Sequence, residues 1–110
     1  MSEVSLTQFK EIELKIAKIL EVEEIAGADR LWRLTVDVGG DQKKQIVAGI
    51  KNYYTREALL GKSVVLVNNL APSVIRGVES KGMLLAAKDP AAGLVLLSTE
   101  KELPPGSSIG

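Results

Sequence analysis

The stretch Ile12-Glu13-Leu14-Lys15-Ile16-Ala17-Lys18-Ile19-Leu20-Glu21-Val22 alternates apolar and polar side chains. Period two over this length predicts a long strand with one face on a core. Ile12, Leu14, Ile16, Leu20 and Val22 are expected on one face, with Glu11, Glu13, Lys15, Glu21 and Glu23 on the other. Ala17 and Ile19 interrupt the polar face, so part of it is expected to be covered too.

The alternation resumes downstream. Gly27-Ala28-Asp29 forms a turn into a second strand from about Leu31 to Val38, where Trp32, Leu34, Val36 and Val38 alternate with Arg33, Thr35 and Asp37. Gly39-Gly40-Asp41 is a hairpin signal, so Lys44 to Ala48 is expected as a third strand antiparallel to the second. At Thr55 the rhythm changes. Thr55-Arg56-Glu57-Ala58-Leu59-Leu60-Gly61 offers an N-cap, helix formers and a terminating glycine, which predicts a short helix over Thr55–Leu60. Ser63 to Val67 is an apolar strand expected to be buried on both faces. Asn69 to Gly82 is expected as a long connection, with further strands at Met83–Ala87 and Leu94–Leu97. Ser2 to Lys10 is expected to carry a helical turn with Leu6 and Phe9 inward, and Pro104-Pro105-Gly106-Ser107 a terminal turn.

Three strands, a short helix and then further strands predict an all-β chain. The order is that of an OB-fold, a five-stranded, partly open Greek-key barrel with one short helix between strands three and four. An SH3-like barrel is the structural alternative. Residues 1–8 are an N-terminal extension and residues 9–110 the domain proper.

Composition excludes several classes. Of the 110 residues 45% are hydrophobic and 25% charged, ordinary for one globular domain. No apolar run approaches the roughly 18 residues of a membrane span. Met-Ser-Glu-Val-Ser carries no basic or apolar leader pattern, so the cytoplasm is the expected location. Cysteine and histidine are both absent. That removes disulfides, thiolate zinc sites and the commonest general base; no catalytic residue, metal or cofactor is expected, and the protein is read as not an enzyme. The net charge of zero hides an asymmetry: Arg30 to Lys88 holds ten basic against four acidic residues, while the flanks hold four against ten. A basic middle provides the electrostatic footprint that phosphate binding needs.

An OB-fold nominates its own ligand face, strands two and three flanked by the loops joining strands one to two and four to five. Arg33, Thr35, Lys43 and Gln45 point outward there, Lys44 follows the hairpin, and Asn68, Asn69, Arg76, Ser80 and Lys81 lie at or after the end of strand four. Lys and Arg neutralise phosphates, and Asn, Gln and Ser supply oriented hydrogen bonds. Each has a bland counterpart: lysines beside a hairpin serve solubility, Arg33 pairs with an acid such as Asp41, the asparagines satisfy backbone at a strand end, and Met83 is core. Aromatics are few (Phe9, Trp32, Tyr53 and Tyr54), which favours recognition of a folded RNA shape over an extended strand.

Asn69-Leu70-Ala71-Pro72 followed by Arg76-Gly77-Val78-Glu79-Ser80-Lys81-Gly82-Met83-Leu84-Leu85-Ala86-Ala87 resembles the signature stretch of the tRNA-binding domain family. Phe9-Lys10-Glu11-Ile12, Ile16-Ala17-Lys18-Ile19, Val36-Asp37-Val38-Gly39, Gln45-Ile46-Val47-Ala48-Gly49-Ile50, Tyr53-Tyr54 and Leu60-Gly61-Lys62 extend the likeness from about Phe9 to Gly106. The resemblance implies an OB-fold and a non-catalytic tRNA-binding role. The implied setting is a methionyl-tRNA synthetase beta subunit, or a free-standing structure-specific binder that delivers tRNA to a synthetase. tRNA contacts are expected at Lys18, Arg33, Lys43, Lys44, Gln45, Asn68, Asn69, Arg76, Ser80 and Met83, of which Arg76 and Ser80 lie within the signature stretch. One departure is the first loop: the family often has His-Pro before Ala-Asp, whereas this chain reads Ile25-Ala26-Gly27-Ala28-Asp29. The CsaA-type chaperone-like branch usually differs at Ile46–Gly49 and Gly82-Met83 and ranks below the synthetase-associated branch. A protein–protein adaptor or chaperone-like OB-fold module is the alternative function.

A homodimer is also expected. Val64-Val65-Leu66-Val67 and Leu94-Val95-Leu96-Leu97 are apolar on both strand faces, and one barrel interior covers only one of them. Leu6, Leu103 and Ile109 offer cover within a single subunit; the family's habit of two-fold pairing tips the expectation toward two copies.

Overall fold

The computed structural model describes residues 2–110. Helix α1 spans Leu6–Phe9 and α2 spans Arg56–Leu59; the strands are β1 Leu14–Ile25, β2 Ala28–Gly39, β3 Gln42–Ala48, β4 Ser63–Val67, β5 Ser73–Ile75, β6 Val78–Ser80, β7 Met83–Leu84, β8 Ala86–Asp89, β9 Gly93–Leu96 and β10 Ser108–Ile109. The all-β class and the helix between the third and fourth strands agree with the sequence. The strand count is higher than five, because the region after β4 is divided among short pieces. The main sheet runs β3-β2-β1-β4-β7 with β10 on β1, and β5-β6 and β8-β9 are separate hairpins.

The long alternation of β1 changes phase partway. Its ladder with β2 shifts register between Ile19 and Glu21, a bulge that consumes Leu20. One extra residue exchanges the two faces. Ala17 and Ile19, not Leu14 and Ile16, therefore join the main core before the bulge, and Val22 joins it afterwards. Ile16 is buried on the opposite side, in register with Val65 of β4. The break in the polar pattern at Ala17 and Ile19 was thus the core face itself.

Trp32, Leu34, Val36 and Val38 of β2, Ile46 of β3, Val64 and Leu66 of β4, Leu59 of α2 and Leu96 of β9 complete that core. Thr55 caps α2 by accepting a hydrogen bond from Ala58 N at 3.2 Å. Val64 through Val67 are all buried within one chain, so this segment needs no second copy to cover it. In the other doubly apolar run Val95 and Leu97 are exposed. Leu6 and Phe9, expected inward, are 66% and 40% exposed. A capping box holds their helix, Ser5 Oγ accepting from Gln8 N while Gln8 Oε1 accepts from Ser5 N, so its stability is local and does not require docking.

No backbone ladder joins β3 to β7, so the sheet is not closed as a barrel. Three hydrogen bonds to the β6–β7 segment stitch the seam instead: Lys81 N donates to Gln45 O (2.9 Å), Val47 N to Ser80 Oγ (2.9 Å) and Gln45 Nε2 to Glu79 O (2.9 Å). Ser80 Oγ in turn donates to Gly82 O (3.1 Å). Gly82, at φ +154°, lies where a Cβ would come within 2.9 Å of Val67 O. Only glycine lets the chain cross the barrel end so closely.

Candidate functional site

The segment expected as a plain connection after β4 contains the β5–β6 hairpin. Its turn places Arg76 at φ +53° and Gly77 at φ +79°, a left-handed pair suited to a tight two-residue hairpin. Arginine is unusual in that conformation, where Asn, Asp or Gly is the cheaper choice by roughly 1–2 kcal/mol. Arg76 thus combines a disfavoured backbone conformation with an exposed side chain.

The hairpin folds onto the β1–β2 turn. Ile75 and Val78 pack on Ile25, Ala28, Leu31 and Val47, a small apolar cluster outside the main core. This contact sets Arg76 across from Arg30, and the two arginines with Gly27, Asp29, Leu31 and Ile75 line a cleft of about 360 Å³. Among the described residues neither arginine takes part in an ion pair, whereas Lys15, Lys18, Arg33, Lys51 and Lys81 do. Arg30 was not singled out from the sequence, although it lies next to the first loop, which an OB-fold reserves for ligands.

The candidates nominated from sequence fall into distinct places. Arg33, Lys43 and Gln45 share the outer face of β2 and β3, with Thr35 opposite Gln45 and Asp37 opposite Lys43. Lys43 is exposed and forms no ion pair among the described residues. Arg33 is bound to its cross-strand neighbour Glu23 at 3.2 Å, not to Asp41, and its Nε is buried without a partner. Lys18, in register with Asp37, is paired with Glu102 at 3.6 Å.

The remaining candidates are occupied by the fold. Lys44 Nζ reaches across the sheet and donates to Asn68 O at 2.6 Å. Asn69 accepts from Glu13 N (2.8 Å) and donates to Glu11 O (2.7 Å), tying the start of β1 to the end of β4. Asn68 Nδ2 donates to Glu13 Oε1 at 2.9 Å. That bond, with Lys15 beside it, holds the Glu13 carboxyl below its ordinary value. Ser80 is 3% exposed and its hydroxyl is spent in the seam, so it supports the hairpin that carries Arg76. Met83 is 47% exposed and borders an apolar groove with Phe9, Ile12, Leu70 and Leu85. Its backbone pairs with Val67 while its side chain faces out, the reverse of a core methionine.

A small all-β sheet with an arginine-lined cleft between two loops at one end defines an OB-type ligand-binding module. The chain belongs to the family described as "Putative tRNA binding domain", whose model matches residues 14–108. It is 52% identical over 109 residues to a methionine–tRNA ligase of Methanococcus aeolicus, covering 99% of this chain and 16% of that protein. It is 45% identical over 106 residues to that of Deinococcus radiodurans, covering 96% and 15%. The chain thus spans about a sixth of the length of these relatives. Among solved structures it is similar to a MetRS-related protein of Pyrococcus horikoshii, at TM-score 0.92 and 31% identity over 100% of both chains. It is also similar to the chaperone CsaA of Bacillus anthracis, at TM-score 0.89 and 30% identity over 99% and 100%. The likeness in fold to CsaA is nearly as close as that to the MetRS-related protein.

Proposed function

We propose that this domain binds tRNA without catalysing a reaction on it, holding phosphate between the β1–β2 turn and the β5–β6 hairpin. The observation that carries the proposal is the family match over residues 14–108, which takes in both walls of the arginine cleft. Arg30 and Arg76 supply unpaired charge there, and Lys43 supplies it on the adjoining strand face. The ion-paired Arg33 and Lys18 and the internally engaged Lys44, Gln45, Asn68, Asn69 and Ser80 contribute by shaping the face. Met83 acts at the rim of its groove. The similarity to methionine–tRNA ligases supports a cytoplasmic module that raises the local tRNA concentration for a methionyl-tRNA synthetase, as a subunit or a free-standing binder.

The groove of about 680 Å³ beside α1, with Phe9, Ile12, Leu70 and Met83 exposed along it, supports a homodimer. Two copies on one two-fold axis would present two arginine clefts to one RNA and gain avidity where both engage. Light scattering at micromolar concentration tests this: a monomer mass that persists as concentration rises refutes the dimer and leaves tRNA binding standing.

Titration with tRNA at two salt concentrations tests the function. Replacing Arg30 and Arg76 together by Gln should weaken binding and flatten the salt slope by about two phosphate contacts. An unchanged slope in a folded double variant refutes the cleft as the site. The similarity to CsaA favours one rival, a chaperone-like adaptor, which would bind unfolded or partner protein with little dependence on salt.

A further inference from the structure

A second cleft adjoins the first. Behind the β5–β6 hairpin, a groove of about 470 Å³ runs between the end of β3 and the β8–β9 hairpin, with Ile75 forming part of both linings. Its walls are apolar, with Ala48 and Ala86 beside Met83, Leu94 and Leu96, and Lys88 is also on the lining. Ile75 is therefore a partition, with arginines on one side and an apolar slot on the other.

The seam leaves part of the β3 edge unused. In a strand the N–H and C=O of one residue point to the same side. Val47 N donates toward β6, so the Val47 carbonyl faces that side too, and Gly49 N two residues on follows the same edge. Ser80 and Lys81 satisfy Val47 N and Gln45 O, and among the described residues no side-chain bond, and no backbone bond outside the strand ladders, engages the Val47 carbonyl or the Gly49 amide. An acceptor and a donor, two residues apart on a bare strand edge, thus border an apolar slot. Gly49 is informative here. Its φ lies outside the range that favours glycine, and a Cβ would meet only Leu31 Cδ2 at an ordinary 3.8 Å. Neither backbone conformation nor packing calls for glycine, which leaves close approach of a ligand to the main chain as a reason for it.

We infer that this slot takes one unpaired nucleobase whose Watson–Crick edge carries an exocyclic amine beside a ring nitrogen acceptor, that is adenine or cytosine, while the adjoining arginines hold its backbone phosphate. The amine donates to the Val47 carbonyl and the ring nitrogen accepts from the Gly49 amide. Uracil and guanine present the wrong pairing of donor and acceptor on that edge. Apolar walls suit the base faces, and a single slot fits a chain with too few exposed aromatics to stack a row of bases. The inference rests on the tRNA-binding proposal and adds a base-reading site to it.

Dimethyl sulfate methylates N1 of adenine and N3 of cytosine, the two ring nitrogens at issue. Bound to a saturating amount of the wild-type domain, at least one unpaired A or C of tRNA should lose most of its reactivity. The Gly49 amide resonance of the same wild-type protein should shift in the complex, and should shift with AMP or CMP but not with UMP. Gly49→Ala adds a methyl where the base approaches the main chain and should weaken the protection; Gly49→Pro removes the donor as well and should abolish it. Absence of any tRNA binding refutes the proposed function and the base site with it. Intact tRNA binding with every unpaired A and C still reactive, or with an unmoved Gly49 amide, overturns the base site alone.

Discussion

Replacing Ser80 by Ala separates two roles that its place beside Arg76 leaves entangled. Ser80 Oγ accepts from Val47 N at 2.9 Å and donates to Gly82 O at 3.1 Å, in a side chain only 3% exposed. Removing it orphans a buried N–H and strips one donor from a buried carbonyl. Stranding such groups costs about 1–3 kcal/mol, and the small volume lost adds little, so a destabilisation of about 2–3 kcal/mol is expected. Against a total stability of roughly 5–15 kcal/mol that is a large fraction. At roughly 4 °C per kcal/mol, it should lower the melting temperature by about 8–12 °C. Urea unfolding followed by the fluorescence of Trp32, the single tryptophan, reports it directly. The midpoint should fall at constant m. Amide exchange in Val78–Ser80 should rise more than in β1, because the seam opens before the sheet. A variant within about 0.5 kcal/mol of wild type that nonetheless binds tRNA poorly would refute the seam argument and return Ser80 to direct contact.

Three other perturbations follow from the same coordinates. Gly82→Ala places a methyl 2.9 Å from Val67 O and 3.0 Å from Leu66 Cδ1, and should leave little folded protein by circular dichroism; a native-like spectrum would contradict the close crossing. Trp32→Phe loses the 2.9 Å bond from Nε1 to Tyr54 O and leaves a smaller ring under Lys51, and should cost about 1.5–3 kcal/mol in urea without changing the tRNA salt slope. Glu13 has a folded pKa below its ordinary 4.5, from the Asn68 hydrogen bond first and Lys15 next. A depressed carboxyl stabilises the fold above its unfolded pKa, and the contribution fades as pH falls through the folded value. Glu13→Gln should therefore shallow the loss of stability on acidification from about pH 5 downward, and melting curves of unchanged steepness would refute it.

The elements held together by local chemistry could be read from the sequence: the alternation of β2, the Gly39–Asp41 hairpin and the Thr55 cap each require only neighbouring residues. What could not be read depends on pairing at a distance. The bulge at Leu20 is visible only as a broken pattern, and its meaning comes from the register with β2. The β5–β6 hairpin lacks the Asn-Gly or Asp-Gly dipeptide that announces such a turn, and Arg76-Gly77 hid it. Covering Val64–Val67 took only the chain's own remaining segments, which no period in the run itself could reveal. At the site, residue type located the basic middle, but whether a cation is unpaired is decided by cross-strand neighbours: Glu23 engages Arg33, and among the described residues no carboxylate pairs with Arg30 or Arg76.

The pairing of β10 with β1 also orders events during synthesis. β1, β2 and β3 form a meander whose contacts are all local, and β4 joins β1 soon after. The other edge of β1 at Leu14 and Lys15 waits for Ile109 and Ser108, and Ile16 for Ser107 O and Gly106 N. Gly106 must reach Gly39 so closely that a Cβ on Gly39 would lie 2.7 Å from Pro105 O. Until Gly106 to Ile109 have left the ribosome, this edge is bare, and a bare edge is a template for pairing with other nascent chains. A polysome carrying many copies brings such edges together at high local concentration, so the pairing of Gly106–Ile109 with β1 protects the yield of folded protein as well as the finished sheet.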